Sequence, residues 1–326
     1  MPFPSTRENK IVDRVLSNIA HGYRNGKFVF DLAFPQANVD QREGRIIRFN
    51  EDELYLHDLL RTQGSNTLRL SGDWGSESYD LYEDAVEEEL PIEQIKDTEF
   101  LPINLQRRCI NRAMYRVQMA KESKQSALLQ VFNNYLPTNR LALSGSTRWS
   151  DPSSNPEEQF DNAHTAILNA CGMYANVGIA SIEGFNALKR HPVIRDKFKY
   201  VRAGVVTKEL VASVLGLKVL EISTAKYKQL NNPAAGRTSF FSNQFWMGYN
   251  PMYDDDNMME IGKALPSINS DIDKPSFGYT YTLKDSLMAE EPYYERNNKT
   301  WYFPVSATRR PVLTGLGAGY LFTNVT

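Results

Sequence analysis

The chain has 326 residues, of which 41% are hydrophobic and 23% charged, and its formal net charge is −2. This composition is typical of a globular protein with enough apolar material for a core. The near-neutral charge argues against a dedicated nucleic-acid-binding protein, which gains affinity from an excess of lysine and arginine. The sequence also lacks an apolar run of the length that a membrane helix needs and the apolar segment of a signal peptide. We therefore expect a soluble protein that stays where it is made.

The first hundred or so residues are polar, with short apolar runs between charged and glycine-bearing segments. Alternating residues in 67–70 and 79–82 flank the glycine-bearing stretch 72–75, which predicts a β-hairpin. The acidic run 87–89 ends this part of the chain. An isolated hairpin is only marginally stable in water. We therefore interpret this part as arms that pack on another surface, with a loop-rich lobe as an equally weighted alternative.

A long helix is predicted between Pro102 and Pro137, because apolar residues recur there near helical spacing and prolines bound the segment. The apolar positions are Ile110, Ala113, Val117, Ala120, Ala127, Val131 and Tyr135. The basic residues along it are Arg107, Arg108, Arg112, Arg116, Lys121 and Lys124. We interpret these as a solvated face, with a surface that faces DNA or a scaffolding protein as the alternative.

Shorter helices are predicted between Leu141 and Gly216. Asn155 is a capping residue before Pro156, and Glu158 is placed to reach back to the cap. The apolar face of that helix and its glycine stop are Phe160, Ala163, Ile167, Cys171 and Gly172. A second helix begins at Ser181 and carries Phe185 and Leu188, a third runs from Thr207 to Gly216, and residues 218–222 form a strand.

Aromatic and β-branched residues dominate after Thr238, which predicts strands at 240–241, 245–249, 277–283, 301–303 and 319–325. The fold class is therefore α+β. The two cysteines, Cys109 and Cys171, lie in predicted helices without metal-ligand spacing, and we expect small packing residues in a reducing compartment.

Candidate catalytic and metal-binding groups are few. The four histidines, His21, His57, His164 and His191, lack the close spacing of metal ligands. The acidic run 254–256 lacks the alternating ligands and glycine of a calcium loop, and a solvated loop is the better interpretation.

Three further motifs are weak. The glycine-rich stretch 315–319 resembles a phosphate-binding loop but leads into a predicted strand instead of a helix, so we expect close backbone packing there. The serine-bearing stretch 144–146 lacks the setting of a nucleophile elbow, and the glycosylation pattern at 298–300 has no secretory signal beside it. We assign no catalytic, cofactor-binding or metal-binding residue, and we predict a protein that is not an enzyme.

An ordered series of segments from Leu141 to Val325 resembles the major capsid proteins of tailed double-stranded DNA phages. The series comprises 143–145, 148–151, Asn155 and Pro156, 181–188, 191–194, 199–200, 206–210, 215–219, 224–227, 245–249, 275–280 and 318–322. Each segment alone is common, and it is their order and spacing that carry the resemblance. The first hundred residues match only in layout: an arm, a hairpin-like loop and then a long helix.

The resemblance implies the tailed-phage major capsid fold. It implies an amino-terminal arm with its first strand at 1–49, an extended loop at 50–90 and a peripheral domain with the long spine helix at 91–149. An axial domain follows at 150–222, and strands at 223–326 complete both domains. In such proteins the extended loop reaches over a neighbouring subunit.

The resemblance also implies a structural shell protein that assembles into hexamers and pentamers around a double-stranded DNA genome, without sequence-specific binding and without a membrane. We expect a portal protein at one vertex, a decoration protein as a possible partner, and a virion capsid assembled in the cytoplasm of a bacterial host. The chain begins almost directly with the arm, so we expect a separate scaffolding protein. Some relatives cross-link their subunits covalently through a lysine and an asparagine, and we match neither position to a residue of this sequence.

Two alternatives remain. A bacterial nanocompartment shell shares the fold and encloses an enzyme. A hydrolase would need a noncontiguous site between Leu141 and Gly216, where the sequence shows no pattern of nucleophile and base.

Overall fold

The computed structural model describes residues 28–47, 60, 69, 76–97, 105–197, 207–231, 236–253, 275–284 and 286–326. The strands are β1 (Gln36–Val39), β2 (Glu43–Ile47), β3 (Ser76–Asp80), β4 (Tyr82–Pro91), β5 (Arg140–Ala142), β6 (Val177–Ser181), β7 (Val219–Ser223), β8 (Lys226–Tyr227), β9 (Thr238–Ser239), β10 (Gln244–Gly248), β11 (Gly278–Leu283), β12 (Met288–Ala289), β13 (Tyr293–Glu295), β14 (Thr300–Leu313) and β15 (Gly319–Thr323). The helices are α1 (Ile92–Asp97), α2 (Leu105–Leu129), α3 (Pro156–Cys171), α4 (Ile182–Arg190), α5 (Pro192–Lys197) and α6 (Lys208–Val214). The predicted α+β class is confirmed.

A six-stranded sheet is built around the long strand β14. One edge of β14 pairs antiparallel with β4 along the whole length of β4. Its other edge pairs in turn with β13, β12 and β11, and β1 lies parallel to β11. Helix α2 packs on one face of this sheet through a cluster of buried apolar side chains: Ile110, Ala113, Met114 and Val117 against Phe303, Val305 and Ala307.

A five-stranded sheet has the order β5-β15-β10-β6-β7. Helices α3 to α6 supply much of the core on it, which includes Trp149, Phe160, Phe245 and Phe322. The ring centroids of Trp149 and Phe160 lie 5.3 Å apart in a stacked arrangement. Aromatic side chains of this size bury large areas, so they dominate the packing energy of the layer.

A third apolar cluster joins the two sheets. It contains Phe30 and Phe34 of the segment 28–34, Trp246 of β10, Phe277 beside β11 and Leu321 of β15. The rings of Phe34 and Phe277 meet edge to face with centroids 5.9 Å apart. Because the segment 28–34 contributes side chains to the junction, it is an integral part of the core.

The long predicted helix is confirmed as α2, but it ends at Leu129. Val131 lies beyond it and is 45% exposed, and Tyr135 is buried in extended backbone. Ala127, predicted on the apolar face, is exposed. The Tyr135 hydroxyl donates to the Leu129 carbonyl oxygen at 2.7 Å, so it satisfies one of the carbonyls left free at the helix end.

Helices α3, α4 and α6 are confirmed near their predicted ends. Gly172 takes the left-handed conformation that closes α3 (φ 72°), and Ser181 caps α4 by accepting from the Gly184 amide. The predicted capping contact of Asn155 is wrong. Its side chain makes no bond to the helix backbone, and its amide donates to the Glu158 carboxylate at 3.2 Å instead.

Most strand predictions in the last third are confirmed, but Phe240 and Phe241 lie beside β9 as buried core residues instead of in a strand. The acidic run 87–89 was predicted to end a segment of arms. It lies instead in β4, which pairs with this chain's own β14. Tyr79 pairs with Gly44 of β2, and the predicted hairpin partners Thr67, Leu68 and Leu70 lie outside the described residues.

Candidate functional site: a charged seam along the long helix

Charged and amide side chains line the face of α2 that meets the segment 28–34, β4 and β14. We call this set the charged seam. Its members are Asp31, Asp84, Glu88, Arg112, Arg116, Lys121, Glu122, Lys124, Gln125 and Arg309. Buried charges persist in proteins when they are paired or hydrogen-bonded, so the partners of each member decide its role.

Asp31 is held by two residues one turn apart on α2. Lys121 donates to one carboxylate oxygen at 2.6 Å, and Gln125 donates to the other at 2.8 Å. Burial raises the pKa of Asp31, but the charge of Lys121 and the hydrogen bonds from both side chains outweigh it, so the pKa lies below its ordinary value. Asp31 is therefore ionised at neutral pH, and the pair fixes the segment 28–34 against the helix.

Glu122 binds the same segment through its backbone. One carboxyl oxygen accepts a hydrogen bond from the Val29 amide at 2.8 Å, and the side chain is fully buried. Within the described residues the other carboxyl oxygen has no hydrogen-bond partner. Burial and the nearby Asp31 charge raise the pKa of Glu122, while the hydrogen bond from the Val29 amide and the charge of Lys121 lower it, and the net result is a pKa of about 8. The carboxyl is therefore largely protonated at neutral pH.

Arg309 joins β14 to the helix. Its guanidinium donates to the Val117 carbonyl oxygen at 2.7 Å and to the Gln118 side chain at 3.3 Å. Burial lowers its pKa, while Asp31 and Asp84 act in the opposite direction. Arginine remains charged even so, and the cation is compensated by the field of these two carboxylates.

Ion pairs join β4 to the helix. Lys124 donates to Asp84 at 2.5 Å. Glu88 is 4% exposed and is paired with Arg116 at 2.5 Å and with Arg112 at 3.6 Å. The expectation that the basic residues form a solvated face is therefore wrong for Lys121, which is buried, and incomplete for Arg112, Arg116 and Lys124, which are paired. The seam binds the helix to three other parts of the chain.

Ser154 and His191 are the serine and histidine that could form a hydrolase site between Leu141 and Gly216. Their Oγ and Nε2 atoms lie 3.0 Å apart. The other ring nitrogen, Nδ1, accepts from the Val193 amide at 3.3 Å, so the ring proton is on Nε2. An imidazole in this tautomer cannot take the serine proton, and the Ser154 hydroxyl donates to the Asp151 carbonyl oxygen at 3.0 Å. The pair is a structural brace between a loop and α5.

The other candidates are also placed. His164 approaches the Leu215 carbonyl oxygen at 2.8 Å and stacks on Tyr174, so it joins α3 to the end of α6. A Cβ on Gly315 would lie 2.7 Å from the Ser276 carbonyl oxygen, which confirms close backbone packing in 315–319. His21, His57 and the acidic run 254–256 lie outside the described residues.

No group of three or more histidine, cysteine, aspartate or glutamate side chains that could bind a metal occurs in the described part of the chain. None of the helices described is long and apolar enough to cross a membrane.

The charged seam was not predicted from the sequence, although the pattern of residues in α2 contains a signal for it. Buried positions of α2 continue from Val117 through Lys121, Gln125 and Leu129 at helical spacing, with Glu122 beside them. Polar residues within a buried stripe indicate specific partners from elsewhere in the fold.

The fold is that of phage capsid proteins. The chain superposes on the crystal structure of a putative capsid protein of an Escherichia coli CFT073 prophage with a TM-score of 0.54 and 13% identity, over 96% of this chain and 99% of that one. It superposes on a phage-related protein from Bordetella bronchiseptica RB50 with a TM-score of 0.78 and 28% identity, over 97% of this chain and 98% of that one.

The sequence agrees with the fold. The chain is 25% identical over 321 residues to the major capsid protein of Burkholderia phage BcepMu, which is 97% of each protein. No protein-family model matches the chain. The chain is therefore a homologue of phage major capsid proteins, and the resemblance seen in its sequence is confirmed. Its role is structural, in the capsid of the virion.

Proposed function

We propose that copies of this chain assemble as hexamers and pentamers into an icosahedral shell that encloses the double-stranded DNA genome of a tailed phage. The observation that carries the proposal is the similarity to the BcepMu major capsid protein, which extends over 97% of both proteins. A match of that extent leaves only about 3% of the chain outside the comparison, so it is not confined to one domain of the fold.

The charged seam supports a mechanical role. A shell subunit transmits lateral force to its neighbours, so its long helix and its large sheet have to move as one body. In this chain, Arg309 ties α2 to the central strand β14, Glu88 ties it to the edge strand β4, and Lys121 ties it to Asp31 of the core segment. These contacts follow one another along the helix. They therefore resist sliding of α2 along the sheet at several points, where apolar packing alone would be less directional.

The proposed domain arrangement follows from the same family. The five-stranded sheet with α3 to α6 is assigned to the axial domain, which surrounds the centre of each hexamer or pentamer. The six-stranded sheet with α2 is assigned to the peripheral domain. Within the arm at 1–49 and the extended loop at 50–90, the residues outside the core segment 28–34 and strands β1 to β4 are assigned to contacts with neighbouring subunits. Strand β4 would be the base of this loop, since its residues 82–91 pair with β14 of their own subunit.

The remaining partners are part of the proposal. Assembly takes place in the cytoplasm of the bacterial host with a separate scaffolding protein, and a portal protein occupies one vertex. Expression of this chain alone tests the scaffolding protein: heterogeneous or unclosed assemblies are expected. Uniform closed shells made without any other phage protein would contradict that part of the proposal.

The contents of the particle separate this function from a nanocompartment that encloses an enzyme. Particles purified from phage-producing cells are treated with nuclease and then opened, and their nucleic acid and protein contents are measured. We expect protected double-stranded DNA of one length. Particles that hold a single enzyme and no DNA would instead support the nanocompartment, and a monomeric protein with hydrolytic activity would support the enzyme alternative.

A further inference from the structure

We propose that Arg108, Arg112 and Arg116 on α2 form the surface through which the shell contacts the phosphate backbone of its packaged DNA, without reading the sequence. We call these three residues the arginine row. The inference rests on the proposed function, since only a DNA-filled shell brings a genome to this face. It adds which face of the subunit is turned inward.

The arginine row is regular and exposed. Its members are four residues apart, so they lie on one side of the helix, and each is separated from the next by about 6 Å along the axis. All three residues are exposed. The side chains of Arg112 and Arg116 are 57% and 48% exposed, respectively. A linear polyanion can therefore lie along the row and meet each guanidinium in turn.

The buried carboxylate of Glu88 orients two members of the arginine row, Arg112 and Arg116. It is 4% exposed and is paired with both Arg112 and Arg116, so one carboxylate is shared by two guanidinium groups. Each guanidinium has five donors, and a shared carboxylate leaves several of them directed to solvent. Because one carboxylate is paired with two guanidinium groups, an excess of positive charge remains, and Arg108 adds to it. The cations are thus held in place without being neutralised.

The charge of this part of the molecule is separated between two faces. Helix α2 carries six basic residues and one acidic residue, Glu122, which is buried. In β4, Asp84 and Glu88 point toward the helix, and because side chains alternate along a strand, Glu83, Glu87 and Glu89 point to the opposite face. The net charge of −2 for the whole chain conceals this separation. A polyanion is attracted to the helix face.

The chemistry of the face favours DNA over an acidic protein. The exposed residues of α2, which is described in full, are Gln106, Arg107, Arg108, Arg112, Arg116, Ser123 and Ala127. None is a large apolar side chain. Protein interfaces usually have an apolar centre, whereas contacts to a DNA backbone consist mainly of hydrogen bonds and ion pairs to phosphate. Arginine is also the side chain best shaped for phosphate.

The test is the salt dependence of DNA binding by the purified full-length chain. A short labelled duplex is titrated by fluorescence anisotropy at several salt concentrations. Each lost phosphate contact lowers the slope of log K against log salt by about 0.9. We therefore expect a drop of about that size for Arg108→Gln, and about twice that for Arg112→Gln with Arg116→Gln and Glu88→Gln together. Glu88 is changed with its partners so that no unpaired carboxylate is buried.

The matched control is Arg190→Gln, which removes an exposed arginine of α4. An unchanged slope for Arg190→Gln with a reduced slope for Arg108→Gln supports the arginine row. Equal slopes for the two variants would overturn the proposal. Polyglutamate stands for an acidic protein as the ligand, and an arginine-row variant that loses binding to polyglutamate but keeps the DNA slope would also overturn it. Circular dichroism and electron microscopy of the same samples report folding and assembly. Wild-type protein that forms no rings or shells would instead count against the proposed function.

Discussion

The carboxyl group of Glu122 accepts a hydrogen bond from the Val29 amide at 2.8 Å, at a point where neither group is exposed to water. This contact joins the long helix to the start of the core segment 28–34. Lys121, the residue before Glu122, binds Asp31 of the same segment. One turn of α2 therefore holds both the backbone and a side chain of the segment. Of the two acids involved, Asp31 is ionised and Glu122 is largely protonated at neutral pH.

The pH dependence of stability should report Glu122. Its pKa is raised from 4.5 to about 8 in the folded protein by burial, so its contribution to stability is fully present below about pH 4.5 and is lost as the pH rises toward 8. We expect urea midpoints of the unassembled protein to fall between pH 6 and pH 9. Glu122→Gln keeps an acceptor for Val29 and should flatten that change. An exposed control, Glu89→Gln, should leave it intact; an equal slope in all three proteins would contradict the assignment.

Asp31 and Lys121 should be coupled. Removing one partner of a fully buried ion pair costs about 3–5 kcal/mol. Lys121 is 10% exposed and Asp31 is 41% exposed, so screening reduces the expected cost of Asp31→Ala to about 2 kcal/mol. The double variant Asp31→Ala with Lys121→Met should recover part of that loss, because no charge is then left without its partner. A double-mutant cycle from denaturation curves measures the coupling, and additive losses would mean that the two residues act independently.

Gly315 should not tolerate a side chain. A Cβ there would lie 2.7 Å from the Ser276 carbonyl oxygen, which is backbone and cannot rotate away. Gly315→Ala should therefore destabilise the protein by about 1–3 kcal/mol, as for other overpacked sites. Gly236 is the comparison, since a Cβ at that position meets no atom of the described residues within 4 Å. Thermal unfolding of both variants measures the difference, and similar melting temperatures would refute the close approach.

Ser154 should be a structural residue. Ser154→Ala removes the hydroxyl that lies 3.0 Å from His191 Nε2, and we expect a loss of about 1 kcal/mol in stability with unchanged assembly. Denaturation and electron microscopy of the variant check both. A hydrolytic activity of the wild-type protein that disappears in Ser154→Ala would contradict the tautomer inferred from the Val193 amide.

Local signals in the sequence were sufficient for α3, α4 and α6, but α1 and α5 were not predicted. Helix α3 begins at Pro156 and is closed by Gly172 as predicted, because both ends depend on the conformational preferences of those residues. Strand β14 was predicted only at 301–303. It continues to Leu313 through Pro304 and Pro311, residues that usually interrupt a strand, because pairing with β4 and β11 along its edges sustains it.

The charged seam and the arginine row required the tertiary structure. Lys121 and Arg116 are basic residues of the same helix, yet Lys121 is buried against Asp31 and Arg116 is half-exposed beside Glu88. The partners lie far away in the chain, on the segment 28–34 and on β4. No periodicity within α2 specifies these partners, so the sequence left two interpretations of the basic residues: a solvated face, or a surface that faces DNA or a scaffolding protein.

The central claim is that the chain builds a shell, and electron microscopy of the purified protein tests it most directly. Negative-stain images, with absorbance at 260 and 280 nm recorded on the same fractions, should show closed icosahedral particles or rings of six and five copies. Compact monomers that never associate, under conditions in which the fold is intact by circular dichroism, would contradict the account.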